Sequence, residues 1–183
     1  ARAERAELIP WLLEQGISIE DVRESFAPML LPARRALGDD GSRMTARQIG
    51  DAVGLDVELL TRFQQAGGMP RVEDPDAPTF ARSDGDAAIH IKEFLDLGID
   101  PERMLTVVRV LAEGLSHAAE AMRSAALGAV LHPGVTELEI AKSSQALARM
   151  ATPLLGPMIE DMLLLQLRRA VENEAVSASE RAQ

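Results

Sequence analysis

The side chains of this sequence that can change charge in mild acid are its three histidines. Histidine in peptides has a pKa of about 6.5, so each imidazole could sense protons, with a purely structural role as the alternative. His132 is the strongest candidate, because it follows a predicted helix whose macrodipole favours a protonated imidazole at the carboxyl end. His117 lies on that helix, where it could pair with Glu113 or Glu120 or bind a carboxylate. His90 is expected on a solvated helix face.

The known signatures of catalysis are missing from the sequence. It contains no phosphate-binding glycine loop, no His-Glu-x-x-His and no Gly-x-Ser-x-Gly motif, and it has no cysteine to serve as nucleophile or thiolate ligand. The adjacent acids Glu160 and Asp161 point to different faces of a predicted helix, so they cannot converge as an acid-base pair. We therefore predict no active site, no metal site and no cofactor in this chain.

Composition restricts the class of protein. The 183 residues suffice for one domain with a sizeable core, and a net charge of -10 argues against polyanionic partners such as nucleic acids. No apolar run approaches the roughly 20 residues that span a bilayer, and the absence of cysteine fits a reducing compartment. We expect a cytosolic protein, whose full-length form could associate with the membrane surface.

The residue types favour an all-α fold. The sequence has few of the aromatic residues that favour strands, with one Trp, four Phe and no Tyr, whereas Ala, Leu, Val and Met are abundant. Residues 1–43 form the amino-terminal helices of this prediction, one over 3–15 that ends at Gly16 and one over 19–27 capped by Ser18. Pro28 and Pro32 then interrupt the chain, and residues 34–42 are predicted to be a linker.

Residues 44–99 carry a helix-turn-helix pattern. Thr45 caps a first short helix that stops at Gly54, and a second helix starts near Asp56. With the Pro- and Gly-rich segment that follows, a capped helix from Ser83 and a Leu-Gly turn at residues 97–98, this order resembles the DNA-binding region of MerR-type regulators. Five Arg against six acids over residues 43–82 leave no positive excess to attract phosphates. We therefore expect no nucleic-acid partner, and a MerR-like DNA-binding regulator stays as an alternative.

Residues 100–171 are predicted to be long dimerisation helices. Asp100 caps a helix that starts at Pro101 and extends to about residue 131. Its apolar residues follow alternating steps of four and three, the heptad pattern of a dimer seam. The seam consists of Met104, Val108, Leu111, Leu115 and Met122, with Ala118, Ala125 and Ala129 completing it. A homodimer follows from this pattern, with a long core helix in a monomer as the alternative.

The carboxyl-terminal part shows one further start signal and several breaks. Thr136 and Glu139 form a capping-box pattern for a helix that runs towards residue 151, after which Pro153 and Pro157 are expected to break or kink it. Residues 158–171 are strongly helical again, and residues 172–183 are interpreted as a linker towards an absent catalytic domain.

Nearly the whole chain resembles the amino-terminal regulatory domain of the mycobacterial pH-responsive class III adenylyl cyclases. The matching segments are residues 12–22, 44–63, 94–104 and 132–169. The resemblance implies that residues 1–175 form a single helical, dimeric domain whose last helix leads to a catalytic domain that makes cyclic AMP from ATP. Mg or Mn is then expected only in that absent domain. The resemblance also implies inhibition near neutral pH, release on acidification, and fatty acids as possible ligands.

Two hypotheses assign the pH response and the fatty-acid binding implied by the resemblance to particular parts of this chain. Acidification would change charge near the dimer core and shift the last helix between two packings. A fatty acid could lie against the methionines of the carboxyl-terminal helices, with ordinary core filling as the alternative. The candidates for binding its carboxylate are Arg109, His117, Arg123 and Arg149. A dimerisation scaffold that senses nothing is the remaining alternative.

Overall fold

The computed structural model describes the backbone of residues 2–181 and the side chains of residues 6–175. Within this range, helices form all the regular secondary structure. The predicted all-α class is confirmed, and the only strand-like feature in this range is one antiparallel bridge between Met44 and Phe80. A single 3₁₀ turn, Pro28–Leu30, accompanies eight α-helices. They are α1 (Arg2–Glu14), α2 (Ile19–Glu24), α3 (Leu31–Ala36), α4 (Ala46–Val53), α5 (Val57–Ala66), α6 (Arg82–Asp96), α7 (Pro101–Val130) and α8 (Glu137–Arg181).

The amino-terminal helices pack against the first half of α8. Gly16 adopts a left-handed conformation (φ 79°) that ends α1, and the Ser18 hydroxyl caps α2 by accepting a hydrogen bond from the Asp21 N–H at 3.0 Å. The core of this group joins residues that are far apart in the sequence. Its buried members are Leu8, Leu12, Ile17, Val22 and Ala141. The first half of α8 is thus a structural part of the amino-terminal group.

The predicted linker over residues 34–42 is wrong in its first part. Residues 34–36 belong to α3, which lies along α8, and Thr152 of α8 donates a hydrogen bond to the Ala36 carbonyl at 3.2 Å. Pro28 and Pro32 occupy first-turn positions of the 3₁₀ turn and of α3. Because a helix start needs no N–H from its first residues, these prolines begin helical turns rather than interrupt the chain.

The middle helices α4, α5 and α6 form a second core with the start of α7. The Thr45 hydroxyl accepts from the Gln48 N–H at 3.0 Å, while the Gln48 side chain accepts from the Thr45 N–H at 2.9 Å. Gly54 (φ 76°) ends α4, and the Asp56 carboxylate caps α5. Both short helices predicted for this segment are present, whereas their likeness to a DNA-binding motif stays a prediction. The buried residues here are Ala46, Ile49, Leu55, Leu60, Phe63, Phe80, Ala88, Met104 and Leu105.

Helix α8 is longer than the sequence predicted. It runs without a break through Pro153 and Pro157 to Arg181, so the prolines do not break the helix, whereas the kink given as the alternative stays a prediction. The segment after residue 171 continues the helix. Each proline removes one backbone donor, but both prolines are exposed, so solvent can bind the freed carbonyl groups. At 1.5 Å per residue the helix is about 68 Å long. Over the described residues, no helix has the length and apolar character needed to cross a membrane.

Candidate functional site

The middle of α7 presents apolar side chains that its own chain leaves exposed. Every residue from Glu113 to Ala125 is exposed, and three members of the predicted seam, Leu111, Leu115 and Met122, keep 36%, 42% and 42% of their surface. Val107 and Val110 add further exposed apolar area at the amino-terminal side. We call the face formed by Leu111, Leu115 and Met122 the α7 stripe.

Met104 does not belong to an outward-facing seam. It is only 6% exposed and lies in a cluster with Phe63 of α5 and Leu105 of its own helix, with Val108 partly buried against them. The predicted heptad pattern therefore begins at Met104, which is buried in the core, and continues along α7 into the exposed α7 stripe. Periodicity identified the apolar face correctly but could not tell where the domain ends and the free surface begins.

The second half of α8 is exposed on all sides. Every described side chain from Gly156 to Ala175 is exposed, although many of them are large and apolar. The apolar members are Leu154, Met158, Ile159, Met162, Leu163, Leu164, Leu165, Leu167 and Val171, between 38% and 70% exposed. Together these nine residues are called the α8 surface below. A helix that is apolar around its circumference is usually buried, so a surface of this extent indicates that it is covered by something else.

The three histidines occupy three different settings. His90 on α6 is exposed, and its Nδ1 lies 3.1 Å from a Glu93 carboxylate oxygen. His117 is exposed on the middle of α7. Of its two candidate partners, Glu120 instead binds Arg123 through two hydrogen bonds of 2.5 and 3.0 Å, and the pairing with Glu113 stays a prediction. A guanidinium is always charged and matches a carboxylate in shape, so it outcompetes an imidazole.

His132 lies in the turn between α7 and α8. It follows the last residue of α7, Val130, by two positions, and its carbonyl accepts from the Val135 N–H at 3.2 Å. The predicted capping box of α8 is present, since Glu139 accepts from the Thr136 N–H at 2.8 Å and from the Thr136 hydroxyl at 2.9 Å. The imidazole thus stands between the carbonyl end of one long helix and the start of the other.

The Glu139 side chain is negatively charged in mild acid. The hydrogen bonds from the Thr136 backbone and hydroxyl hold the pKa of Glu139 below its usual range, and the charge on a protonated His132 lowers this pKa further. Because the folded-state pKa is lowered, the stability that Glu139 contributes is present above its unfolded pKa of about 4.5 and is lost only as the pH falls through the lower folded value. Glu139 therefore stays charged in mild acid and would attract a protonated His132.

The predicted carboxylate-binding cations are not brought together within one subunit. Arg109 and Arg123 are both on α7, and 14 residues of helix separate them by about 21 Å. Arg123 is engaged with Glu120. Arg149 lies on the first half of α8, where it borders a cavity near the end of α1. A single carboxylate can therefore reach only one of these arginines in one chain.

Two arginines of the middle helices are bound by acids. Arg62 on α5 donates to both carboxylate oxygens of Glu102 at 2.7 and 2.8 Å, and Arg47 on α4 binds Asp76 through two hydrogen bonds. The Arg47 guanidinium holds the pKa of Asp76 below its usual range, so this pair stays ionised in mild acid. Arginines paired in this way offer little net charge to a phosphate backbone. Within the described part of the chain, no group of three acidic or histidine side chains is placed to hold a metal ion.

Three charged residues that sequence reasoning missed connect the two helix groups. Asp39 binds Arg34 of α3 and Arg43, which precedes α4. The hydrogen bond from Arg43 is the main reason that the pKa of Asp39 lies below its usual range. The dense alternation of Arg and Asp between residues 34 and 43 was the available signal.

Comparisons with known proteins match the chain to one family. Residues 1–171 match the protein family described as the adenylate cyclase regulatory domain. The chain is 57% identical over 182 residues to the pH-sensitive adenylate cyclase MT1302 of Mycobacterium tuberculosis (strain CDC 1551 / Oshkosh). This match covers the whole of the chain but 46% of that relative, so the chain spans less than half of the relative's length.

Proposed function

This chain belongs to the adenylate cyclase regulatory domain family, and we propose that it is the pH-responsive inhibitory domain of a class III adenylyl cyclase. The observation that carries the proposal is the α8 surface, because a long helix with exposed apolar sides can change its packing without disturbing the core. The attached catalytic domain would make cyclic AMP from ATP. The regulatory domain formed by this chain would change the rate of that reaction through the packing of α8.

Homodimerisation is part of the proposal. The α7 stripe and the α8 surface leave more large apolar side chains exposed than a monomeric protein normally tolerates. A second copy of the chain offers the same two surfaces, and a twofold interface would cover both at once. By the resemblance this domain is dimeric in the family, so pairing here would also hold two catalytic domains together.

A fatty acid could be held within that dimer. The methionines Met122, Met150, Met158 and Met162 are exposed in one subunit and would form a flexible apolar wall only when a partner closes it. On α7, Arg109, Arg123 and His117 would supply cations for the carboxylate of such a ligand. Native mass spectrometry of the purified protein tests this idea, since a bound fatty acid adds its mass to the dimer and an empty surface adds none.

The first prediction compares the full cyclase with its isolated catalytic domain between about pH 8 and pH 5.5. Near neutral pH we expect the full protein to be about 5- to 150-fold less active than the isolated catalytic domain, which is the usual range of allosteric coupling. On acidification the activity of the full protein should approach that of the isolated domain. Steady-state cyclic AMP formation measures both. If removing the domain abolished activity at every pH instead, the domain would be a dimerisation scaffold and the inhibitory role would be wrong.

The second prediction concerns His132. A protonated His132 would place positive charge beside the carbonyl end of α7 and the carboxylate of Glu139, and this charge would favour the α7–α8 turn. Replacing His132→Gln in the full enzyme is expected to reduce the activation by acid about 2- to 30-fold, the range of helix-terminus charge effects. The pH profile of cyclic AMP formation measures it.

His90→Gln is the matched control, because His90 is exposed on α6 and pairs only with Glu93 of its own helix among the described residues. This variant is expected to keep the original profile. An unchanged pH profile after replacement of all three histidines would contradict proton sensing by imidazole altogether.

A further inference from the structure

The helices of this chain form two groups with separate cores. The amino-terminal group contains α1, α2, α3 and the first half of α8, and the middle group contains α4, α5, α6 and the start of α7. Among the described side chains, no buried residue belongs to both cores. The main helix contact between the groups is that of α7 with α8, beside the buried Val130 at the end of α7. The two groups can therefore move relative to each other without opening either core.

The chain passes between the two groups at two places. Residues 37–45 join α3 to α4, and residues 131–136 join α7 to α8. Each segment contains a glycine with a positive φ, Gly41 at 85° and Gly134 at 86°. At both glycines, apart from the adjoining residues, no atom lies within 4 Å of the position of an added Cβ. Because the two segments lie outside the helices and have this space around them, they can change conformation at little cost.

The Asp39 carboxylate connects the two ends of the first segment. One of its oxygens accepts a hydrogen bond from Arg34 of α3 at 2.5 Å, and the other accepts one from Arg43, just before α4, at 2.9 Å. The second oxygen also accepts from the Gly41 N–H at 3.3 Å. Since the two guanidinium groups lie on opposite sides of the segment, one carboxylate fixes its conformation. We call Arg34, Asp39 and Arg43 the Asp39 bridge.

An open cleft lies beside the Asp39 bridge, between the end of α3 and the start of α6. Its volume is about 430 Å³. On the side of the amino-terminal group, Leu37 borders the cleft and is 58% exposed. The opposite side is formed by Thr79, Ala81 and Ser83. Because burying a leucine side chain is favourable, Leu37 favours closure of the cleft, and the Asp39 bridge opposes it.

We propose that residues 37–45 and 131–136 form a two-segment hinge and that the Asp39 bridge holds the cleft open. Without the bridge, the two groups turn towards each other and bury Leu37 against Ala81. The start of α7 belongs to the middle group and the first half of α8 to the amino-terminal group, so this movement changes the angle between the two long helices. The hinge lies within one subunit, and the inference does not rest on cyclase regulation.

The test measures the distance between the two groups by double electron–electron resonance. The chain has no cysteine, so Glu20→Cys on α2 and Asp86→Cys on α6, both at exposed positions, place one spin label in each group. Dilution with an excess of unlabelled chain leaves the distances within one subunit. We expect Asp39→Ala to raise the population at shorter distances about 2- to 5-fold, the range for exposed ion pairs. Arg43→Gln removes the bridge from its other end and should act in the same direction.

Asp76→Ala is the matched control for Asp39→Ala. The Asp76 carboxylate also binds an arginine, Arg47, but this pair lies within the middle group, so the distances should stay those of the unsubstituted chain. Leu37→Ser added to Asp39→Ala should remove the gain in shorter distances, because closure then buries no apolar side chain. Equal distance distributions for Asp39→Ala and Asp76→Ala would overturn the proposal. So would a gain in shorter distances that Leu37→Ser leaves unchanged.

Discussion

The double substitution Leu111→Glu and Leu115→Glu is expected to convert the proposed homodimer into folded monomers. Both leucines are already 36% and 42% exposed within one subunit, so the change costs the isolated fold little. At a dimer interface each leucine contributes about 1.5 to 3 kcal/mol by burial, and the new carboxylates would be buried without partners. The dissociation constant of the dimer should rise at least about 100-fold, which sedimentation velocity over a concentration series measures.

Ser124→Glu is the matched control for this experiment. Ser124 is exposed on the same helix but points away from the α7 stripe, so a carboxylate added there should leave pairing intact. If the control dissociated the dimer while the double variant did not, the interface would lie on another face of α7.

The second large effect is on stability. Phe63→Ala should lower the free energy of unfolding by about 3 to 5 kcal/mol, because it removes a large side chain that is packed against Met104 and Leu105 and leaves a cavity between α5 and α7. Phe63 is 1% exposed. Chemical denaturation followed by circular dichroism gives the difference in free energy.

Phe26→Ala makes the same chemical change at a fully exposed position between α2 and the 3₁₀ turn. It should change the free energy of unfolding by no more than about 0.5 kcal/mol. Equal losses in the two variants would mean that α5 and α7 do not pack as described.

Much of the helical framework was predictable because helix ends are encoded locally. The Thr45 capping box, the Gly54 stop, the Asp100 cap and the Thr136 and Glu139 pair are each formed within a few residues, and all occur where the sequence placed them. Each needs only a short polar side chain or a glycine at a fixed offset. Such signals are independent of the rest of the fold.

The errors arose where the outcome depends on distant residues. Pro153 was expected to break or kink α8, but the helix continues through it at an exposed position where solvent can bind the carbonyl group that the proline frees. Residues 34–36 resembled a linker because their partner, α8, lies more than a hundred residues away. Gln15 and Gln145 likewise meet across 130 positions, so no local pattern could place them in one cavity.

The predictions for the candidate site also separate into those that the local sequence allowed and those that required the structure. Periodicity identified the apolar face of α7 but assigned Met104 to a partner although Phe63 of its own chain covers it. Glu120, one of the two candidate partners of His117, binds Arg123 at its other (i, i+3) position, a competition that the sequence alone does not decide. The exposure of the α8 surface could be read only from the structure, since its sequence fits a buried helix equally well.

Native mass spectrometry of the purified chain near neutral pH tests the central claim most directly, because every proposed regulatory step passes through a paired domain. The account predicts an ion series at twice the subunit mass of 19.8 kDa, with any bound fatty acid visible as an added mass on that species alone. A series at 19.8 kDa only, at protein concentrations of tens of micromolar, would contradict it.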